Sequence, residues 1–251
     1  MVLVMITGEL GVGKTLTLTY LAWNNYYYKK RKIGANYTIY GMPFYPIKTV
    51  KEFFWFIPPK TTNEEILKGE EKAFFGDDFW KWIGTQTLGL GTKKKSEIIK
   101  RILMASRKSF VTVFYTTQLA RLIKPEIRQV TDLMMKPTLS PDKSYCKVYV
   151  YGLIEGKYLQ PLQPLYFNTE PIIAMYNTYE VAFDAELDIN IEEEDFLEPP
   201  KGFEIVEEFI PIEKNPAWMK YCRDILHIDI NSKEFKKKCD EIQRGLGIEL
   251  R

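Results

Sequence analysis

The stretch of sequence that decides the fold is Gly8-Glu9-Leu10-Gly11-Val12-Gly13-Lys14-Thr15. It matches the pattern G-x-x-x-x-G-K-S/T, whose glycines let the backbone turn back on itself and direct several N–H groups inward. The apolar run at residues 2–6 precedes it and predicts a central strand buried on both faces. Residues 16–28 follow without glycine or proline and suit a helix. Strand, glycine loop and helix in this order predict a phosphate-binding loop, with a glycine-rich turn that binds nothing as the alternative.

The residue types in this loop indicate which chemistry it performs. The N-terminus of the following helix adds partial positive charge where a phosphate would bind. Lys14 is expected to reach the β- and γ-phosphates of a nucleotide such as ATP, and the Thr15 hydroxyl is expected to ligate Mg²⁺. The residues expected to contact the nucleotide are Gly8, Glu9, Leu10, Gly11, Val12, Gly13, Lys14, Thr15 and Leu16.

Two adjacent acids end the next apolar stretch, which reads Lys-Ala-Phe-Phe-Gly-Asp-Asp at residues 72–78. Their position and type predict a Walker B pair, in which Asp77 holds Mg²⁺ directly or through water and Asp78 polarises the attacking water as a general base. An aspartate that caps the next helix is the alternative. Because glutamate is the usual second acid, the shorter Asp78 leaves the rate of hydrolysis open. Glu9 and Glu180 are the next candidates for the base.

Three further polar residues complete the candidate catalytic set of Lys14, Asp78, Gln118, Arg128 and Arg107. Gln118 follows an apolar run at residues 110–115, and its amide would point at the γ-phosphate if that strand lies between the other two. Arg107 and Arg128 are the candidates for transition-state stabilisation, a role worth on the order of 10³–10⁵ in rate. A turn residue, for Gln118, and surface ion pairs, for the arginines, are the alternatives.

Charge clusters, and not net charge, have to account for any affinity for nucleic acid, because the formal net charge is only +2. Lys93, Lys94 and Lys95 lie in a glycine-containing loop at residues 84–96, directly after the acids. We expect these lysines to contact the phosphates of duplex DNA without reading bases. A solvated loop is the alternative, and the lysine-rich residues 233–238 are the reserve site.

Several classes of protein are disfavoured by the sequence. No run approaches the roughly 18 apolar residues that cross a bilayer, and the apolar start is too short for a signal peptide. Cys146, Cys222 and Cys239 are far apart and fit neither a disulfide framework nor a zinc site, so a reducing, cytoplasmic compartment is expected. His227, the single histidine, is expected to be structural.

Strands alternate with helices along the chain, which predicts an α/β fold with a mainly parallel sheet. Strands are expected at residues 36–40, 133–136, 145–153 and 158–167, and the last two are expected to form a hairpin. We expect an ATPase domain at residues 1–183 and an acidic linker at 184–200. A small module at 201–251 would contain helices at 216–225 and 232–245.

The motifs come in one order, which resembles that of a known family. They are residues 6–15, 74–78, 106–108, 117–118 and 127–132. Together they resemble the viral branch of the HerA/FtsK superfamily of DNA-translocating ATPases, over about residues 1–181. Within that branch, which includes packaging ATPases and zonula occludens toxin-like proteins, the length and residues 176–180 look closest to an ATPase of fuselloviruses, the spindle-shaped archaeal viruses.

This resemblance implies a RecA-like sheet in which the Gln118 strand is inserted between the loop strand and the Asp77 strand. It implies a homo-oligomeric ring, often a hexamer, that moves duplex DNA without sequence preference in the host cytoplasm. It also implies that Arg128 or Arg107 acts on the nucleotide of a neighbouring subunit. The toxin-like proteins usually carry a membrane helix after this domain, and this sequence contains none.

The sequence therefore favours an ATP-driven motor for viral genome packaging or processing. A DnaA-like or AAA+ switch that acts in viral replication is the first alternative, with ATP as an assembly signal. A small-molecule kinase is the second, although no arginine-rich lid segment is evident.

Overall fold

The computed structural model describes residues 2–57, 71–83, 103, 111–154, 157–180, 182 and 205–247. Arg107 and the three consecutive lysines at 93–95 lie outside these ranges, as does the acidic linker expected at 184–200. Their expected roles stay predictions.

One sheet runs through the described part of the chain, with the strand order β8-β7-β6-β1-β5-β4-β2-β3-β9. Its strands are β1 (Leu3–Thr7), β2 (Lys32–Ala35), β3 (Pro43–Pro46), β4 (Lys72–Gly76), β5 (Val111–Thr117), β6 (Leu133–Leu139), β7 (Tyr145–Ile154), β8 (Lys157–Asn168) and β9 (Glu208–Phe209). The strands from β6 to β3 in this order are parallel, whereas β7, β8 and β9 pair antiparallel.

The helices connect and cover these strands. They are α1 (Lys14–Tyr27), α2 (Val50–Phe56), α3 (Trp80–Ile83), α4 (Pro125–Gln129), α5 (Glu170–Ile173), α6 (Pro216–Asp224) and α7 (Lys233–Gly245), with 3₁₀ turns at Ala120–Leu122 and Ile212–Lys214. Within the described ranges, no helix combines the length and the apolar character that crossing a bilayer requires.

The order of the central strands determines where the site forms. β5 lies between β1, which leads into the glycine loop, and β4, which ends before Asp77, so the implied insertion of the Gln118 strand is confirmed. This is the arrangement of a RecA-like P-loop fold, and the expected fold class is confirmed. Because parallel strands end at the same edge of the sheet, the glycine loop, Asp77 and Gln118 come together there.

Two apolar clusters hold the sheet between its covering layers. On the α1 side, the rings of Phe75 and Phe114 stack with centroids 4.7 Å apart. On the opposite side, Phe53 of α2 packs against Phe74 and Trp82, each of them buried. Full burial of such a side chain contributes about 1.5–3 kcal/mol, so these contacts fix the strand order that positions the site.

The strand expected at residues 36–40 is wrong, because the second strand is β2 and it ends at Ala35. Asn36 N still donates to the carbonyl of Phe75 in β4, but the ladder ends there, and Ile39 and Tyr40 form only isolated bridges. The apolar residues that suggested a strand are nevertheless buried, since Tyr37 and Ile39 pack in the core. The physical reason is that the side chain of Asn36 bonds to the backbone of Asp77.

The C-terminal residues 205–247 pack against the α1 side of the sheet. Trp218 and Phe235 are buried in the same cluster as the apolar residues of α1, and the indole Nε1 of Trp23 donates to the carbonyl of Leu246 at 2.9 Å. Lys238 pairs with Glu170 of α5 at 2.7 Å. The two helices expected here are confirmed as α6 and α7, whereas the division into domain, linker and module stays a prediction.

Candidate nucleotide-binding site

The loop between β1 and α1 has a backbone that only glycine adopts easily. Gly11 and Gly13 have φ values of 78° and 95°, in the left-handed region that L side chains rarely enter. A Cβ on Gly13 would also lie 3.3 Å from a methyl carbon of Leu139, tighter than ordinary contact. The loop therefore closes over the N-terminus of α1, where backbone N–H groups are available to an anion.

Lys14 begins α1 and its side chain is buried beneath the loop. Its Nζ donates to the carbonyl oxygen of Glu9 at 2.8 Å. Burial holds the pKa of Lys14 below its ordinary value, although the nearby carboxylates of Asp77 and Asp78 act in the opposite direction. The ammonium group is therefore held on the side of the loop that faces both acids.

Asp77 contacts two hydroxyl groups that come from different elements. The Oγ1 of Thr15 lies 3.1 and 3.0 Å from its two carboxylate oxygens, and the Oγ1 of Thr116 donates to Oδ1 at 2.7 Å. Burial raises the pKa of Asp77; the bond from Thr116 opposes this shift, and the charge of Asp78 adds to it. A carboxylate and a hydroxyl form the hard oxygen donor set that Mg²⁺ prefers.

These two oxygen donors fit a magnesium ion that is also bound by phosphate. Protein sites for Mg²⁺ usually supply one or two carboxylates and leave the remaining positions to water and substrate phosphates. Among the residues that the structure describes, no group of three or more His, Cys, Asp or Glu side chains forms a metal cage. The site would therefore take Mg²⁺ together with a nucleotide, held by Thr15 and Asp77.

Two residues that the sequence did not single out position the acids. Asn36 is fully buried, and its side chain donates to Asp77 O at 2.8 Å and accepts from Asp77 N at 2.6 Å. The Thr116 hydroxyl accepts from Asp78 N at 2.7 Å while it donates to Asp77. The available signal was a polar residue at the end of each apolar strand, which by itself indicates no partner.

Asp78 differs from Asp77 in backbone and in exposure. Its φ of 44° lies in the left-handed region, which aspartate enters more readily than most residues. Its carboxylate is partly exposed and lies 3.6 Å from Nζ of Lys81. Asp78 therefore has an accessible carboxylate next to the buried carboxylate of Asp77. A residue that accepts a proton from water has to be accessible in this way.

Gln118 lies at the end of β5, beside the start of the glycine loop. Its backbone carbonyl is 3.5 Å from the Oγ1 of Thr7, and its side chain is half-buried. The sheet therefore brings Gln118 to the same edge as Lys14, Thr15 and the two acids.

Arg128 lies on the other side of the sheet. Burial raises the pKa of Tyr115, whereas the hydrogen bond with Thr131 and the charge of Arg128 lower it. Ile127, the residue before Arg128, packs in the same apolar cluster as Tyr115. Tyr115 and Thr116 are consecutive in β5 and point to opposite faces, and it is Thr116 that contacts Asp77. Arg128 Nε is buried and bonds to no partner among the described residues. The helix that carries Arg128 thus packs on the face of the sheet away from α1, and the role expected for Arg128 stays a prediction.

Glu180, the reserve candidate for the base, has another role. One of its carboxylate oxygens accepts from Thr38 N at 3.1 Å and from the Thr38 hydroxyl at 2.6 Å. It therefore anchors the segment that follows Asn36. Cys146, Cys222 and Cys239 are buried free thiols.

No protein-family model matches the chain, and no curated protein matches it. Solved structures do show a likeness. The N-terminal domain of zonular occludens toxin from Neisseria meningitidis is 16% identical, with a TM-score of 0.46 over 70% of this chain and 98% of that chain. The genome packaging NTPase B204 from Sulfolobus turreted icosahedral virus 2, in complex with ATP-gammaS, is 11% identical, with a TM-score of 0.39 over 65% and 97%.

A third similar structure is a KaiC-like protein from the hyperthermophilic archaeon Pyrococcus horikoshii, which is 12% identical with a TM-score of 0.35 over 65% of this chain and 83% of that chain. These identities and TM-scores are too low to carry a functional assignment.

Proposed function

We propose that this protein is an ATPase that hydrolyses Mg·ATP and uses the energy to move duplex DNA, in viral genome packaging or processing. The observation that carries the nucleotide part is the contact of the Thr15 hydroxyl with both carboxylate oxygens of Asp77, directly beside buried Lys14. A phosphate-bound magnesium ion needs this pair of oxygen donors, and a triphosphate needs the lysine.

Each residue of the site has a separate task in hydrolysis. Lys14 and the backbone N–H groups of the loop bind the β- and γ-phosphates, while Thr15 and Asp77 hold the ion. When bound, Mg²⁺ neutralises charge that develops on the phosphate oxygens. Asp78 accepts a proton from the attacking water, and Gln118 orients that water. Asn36 and Thr116 keep the two carboxylates in place through the bonds to their backbone.

The motor part of the proposal is supported by the order of the motifs, which resembles that of DNA-translocating ATPases. In this proposal Lys93, Lys94 and Lys95 contact the phosphates of duplex DNA. Their loop follows the Asp77–Asp78 turn in the sequence, so a change at the γ-phosphate has a short path to the DNA. Subunits assemble into a ring in which each site is completed by its neighbour.

The test is the ATPase rate of the full chain with and without non-specific duplex DNA, alongside the oligomeric mass with a non-hydrolysable nucleotide. We expect stimulation by any duplex sequence and a ring-sized complex. Selective binding to one origin-like sequence would instead identify the ATP-dependent switch. Turnover that ignores DNA and passes phosphate to a small acceptor would identify a kinase.

Arg128 provides a test of shared sites. The residue before it, Ile127, packs in the same cluster as Tyr115, on the opposite face of β5 from the Thr116–Asp77 contact, and the Nε of Arg128 has no partner among the described residues. If it serves a neighbouring subunit, mixing inactive Arg128→Ala with inactive Asp78→Asn should restore part of the ATPase rate, because some interfaces then combine two intact halves.

Subunit exchange must be demonstrated in the same mixtures, for example by energy transfer between labelled subunits. Each variant mixed with itself is the matched control. No recovery at any ratio, with exchange shown, would mean that Arg128 acts within its own subunit or only supports the fold.

A further inference from the structure

The antiparallel end of the sheet has an unusual composition. Strands β6, β7 and β8 together contain five tyrosines, three lysines and neither aspartate nor glutamate. Charged residues make up 27% of the whole chain, with acids and bases nearly balanced at 33 and 35. This part of the sheet is therefore locally basic and aromatic in a chain of almost neutral net charge.

The two faces of β7 differ sharply. Cys146, Val148 and Val150 point inward and are buried in the core. The alternate residues point outward, and of these Tyr145 and Tyr149 are 58% and 38% exposed. Side chains of the covering helices therefore seal one face of β7. On the other face Tyr145 and Tyr149 are exposed, whereas Tyr151 and Leu153 pack against the second apolar cluster.

Strand register gathers the outward side chains into one surface. Lys147 is directly opposite Tyr166 of β8, which is 60% exposed, and Lys136 of β6 is directly opposite Tyr149. Directly opposite residues have Cβ atoms about 4.5–5.5 Å apart, so the four side chains are neighbours. We call this surface, made of Lys136, Lys147, Tyr149 and Tyr166, the tyrosine–lysine face.

Lys147 is the centre of the tyrosine–lysine face. Its Nζ lies 4.5 Å from the ring centroid of Tyr149 and 5.5 Å from that of Tyr166. Hydrogen bonds with the two phenols raise the pKa of Lys147, so the side chain remains charged. A positive charge between two exposed aromatic rings suits a ligand that combines a negative charge with a planar ring.

The charge of this face excludes one occupant and favours another. A second copy of the chain, docked by two-fold symmetry through the same face, would bring lysines against lysines with no strand acid to compensate. Duplex DNA offers phosphates to the lysines, but its stacked bases are unavailable to the rings. A single strand offers both, since unpaired bases stack on aromatic side chains while the phosphates meet lysine.

We propose that the tyrosine–lysine face binds single-stranded nucleic acid, with Tyr149 and Tyr166 stacking on bases and Lys147 contacting a phosphate. This goes beyond the proposed movement of duplex DNA and uses residues other than Lys93, Lys94 and Lys95. A motor with such a face holds an unpaired strand end or a locally opened strand while the rest of the ring engages duplex.

The test measures binding of a fluorescent oligo-dT to the full chain by anisotropy, at several salt concentrations. We expect the double variant Tyr149→Ala/Tyr166→Ala to bind at least tenfold more weakly. Lys147→Ala should flatten the log–log salt slope by about 0.7, the value for one phosphate contact on a single strand. Tyr149→Phe/Tyr166→Phe, which keeps both rings, should retain most of the affinity. ATP hydrolysis without DNA should be unchanged in all of them.

Tyr179→Ala is the matched control. Tyr179 is also exposed, at 64%, and also lies beside a lysine, with Lys220 Nζ 5.0 Å from its ring centroid, but it belongs to another part of the surface. Its replacement should leave oligo-dT binding unchanged. Thermal melting shows that each variant is folded. The triple variant Lys93→Ala/Lys94→Ala/Lys95→Ala should lose stimulation by duplex and keep oligo-dT binding, which separates this inference from the proposed motor.

Three outcomes would overturn the inference. One is unchanged oligo-dT affinity in the folded Tyr149→Ala/Tyr166→Ala variant. Another is an equal loss of duplex binding in that variant, which would identify a duplex contact. The third is loss of the oligomer while oligo-dT binding persists, which would identify the face as an interface between subunits.

Discussion

The variant Lys14→Ala is expected to lose nearly all nucleotide binding and turnover. Lys14 is the cation that the fold places beneath the glycine loop, with its ammonium 2.8 Å from the Glu9 carbonyl and close to both acids. Truncating one partner of a buried, hydrogen-bonded charge pair costs about 2–5 kcal/mol, so ATP affinity should fall at least about thirtyfold. Calorimetric titration with a non-hydrolysable ATP analogue measures the affinity, and phosphate release measures the rate.

Lys236→Ala serves as the control, because Lys236 is an exposed lysine on α7 in the C-terminal segment, well away from the glycine loop in the sequence. It should bind and hydrolyse ATP as the unmodified protein does. Lys14→Ala itself should remain folded, because the lost side chain is a partly desolvated charge whose removal relieves a cost of burial. A folded Lys14→Ala variant with unchanged affinity and rate would show that the glycine loop is not the nucleotide site.

The loop and the buried strands before it and before Asp77 could be predicted because each depends on local pattern. The spacing of glycines next to Lys14 requires a particular backbone, and left-handed φ values at Gly11 and Gly13 are what that spacing predicts. The apolar run before Asp77 predicts a buried strand in the same local way. The position of β5 between β1 and β4 came from the resemblance, because nothing in the strand itself indicates its neighbours.

The residues that position the acids could not be predicted. Asn36 and Thr116 meet Asp77 across sequence separations of 41 and 39 residues. Such contacts depend on the register of three parallel strands, which single-residue chemistry does not encode. The same limit explains why the prediction of a strand at residues 36–40 is wrong. The large side chains after Asn36 are buried, but their backbone does not continue the pairing of β2.

The face of the sheet on which Arg128 lies also needed the structure. A sequence places Arg128 after the Gln118 strand but does not say whether it turns toward the loop or away from it. The packing of α4, with Ile127 in the cluster of Tyr115 and on the face away from Thr116, is what makes an action on a neighbouring subunit worth testing. The tyrosine–lysine face was missed for a similar reason, because its residues come from three strands and only the register makes them neighbours.

Asp78→Asn is expected to retain Mg·ATP and lose its hydrolysis. The left-handed backbone at residue 78, with φ of 44°, is one that asparagine adopts as readily as aspartate, so the turn should persist. The backbone bond from Asp78 N to the Thr116 hydroxyl also persists. What disappears is the basic oxygen, and loss of a positioned general base lowers the rate by about 10²–10⁴. Single-turnover hydrolysis measures this loss independently of product release.

Asp77→Asn provides the contrast at the neighbouring position. It replaces one of the two carboxylate oxygens beside Thr15 with an amide nitrogen, so a magnesium ion loses a negatively charged ligand. The concentration of Mg²⁺ that gives half-maximal ATP binding should rise in Asp77→Asn. In Asp78→Asn this Mg²⁺ concentration should not rise, because Asp77 keeps both carboxylate oxygens beside Thr15. Burial raises the pKa of Asp77, and the charge of Asp78 raises it further. Removing that charge lowers the pKa of Asp77 and keeps it ionised to lower pH.

The two variants therefore separate binding of the ion from activation of water. Asp78→Asn should show full affinity, retained Mg²⁺ dependence and almost no hydrolysis, whereas Asp77→Asn should show weakened Mg²⁺ dependence at every step. If Asp78→Asn hydrolyses ATP at the normal rate, the base is another residue. Glu9 would then be the first to replace, since Glu180 already accepts two hydrogen bonds from Thr38 and would have to release them to act on water.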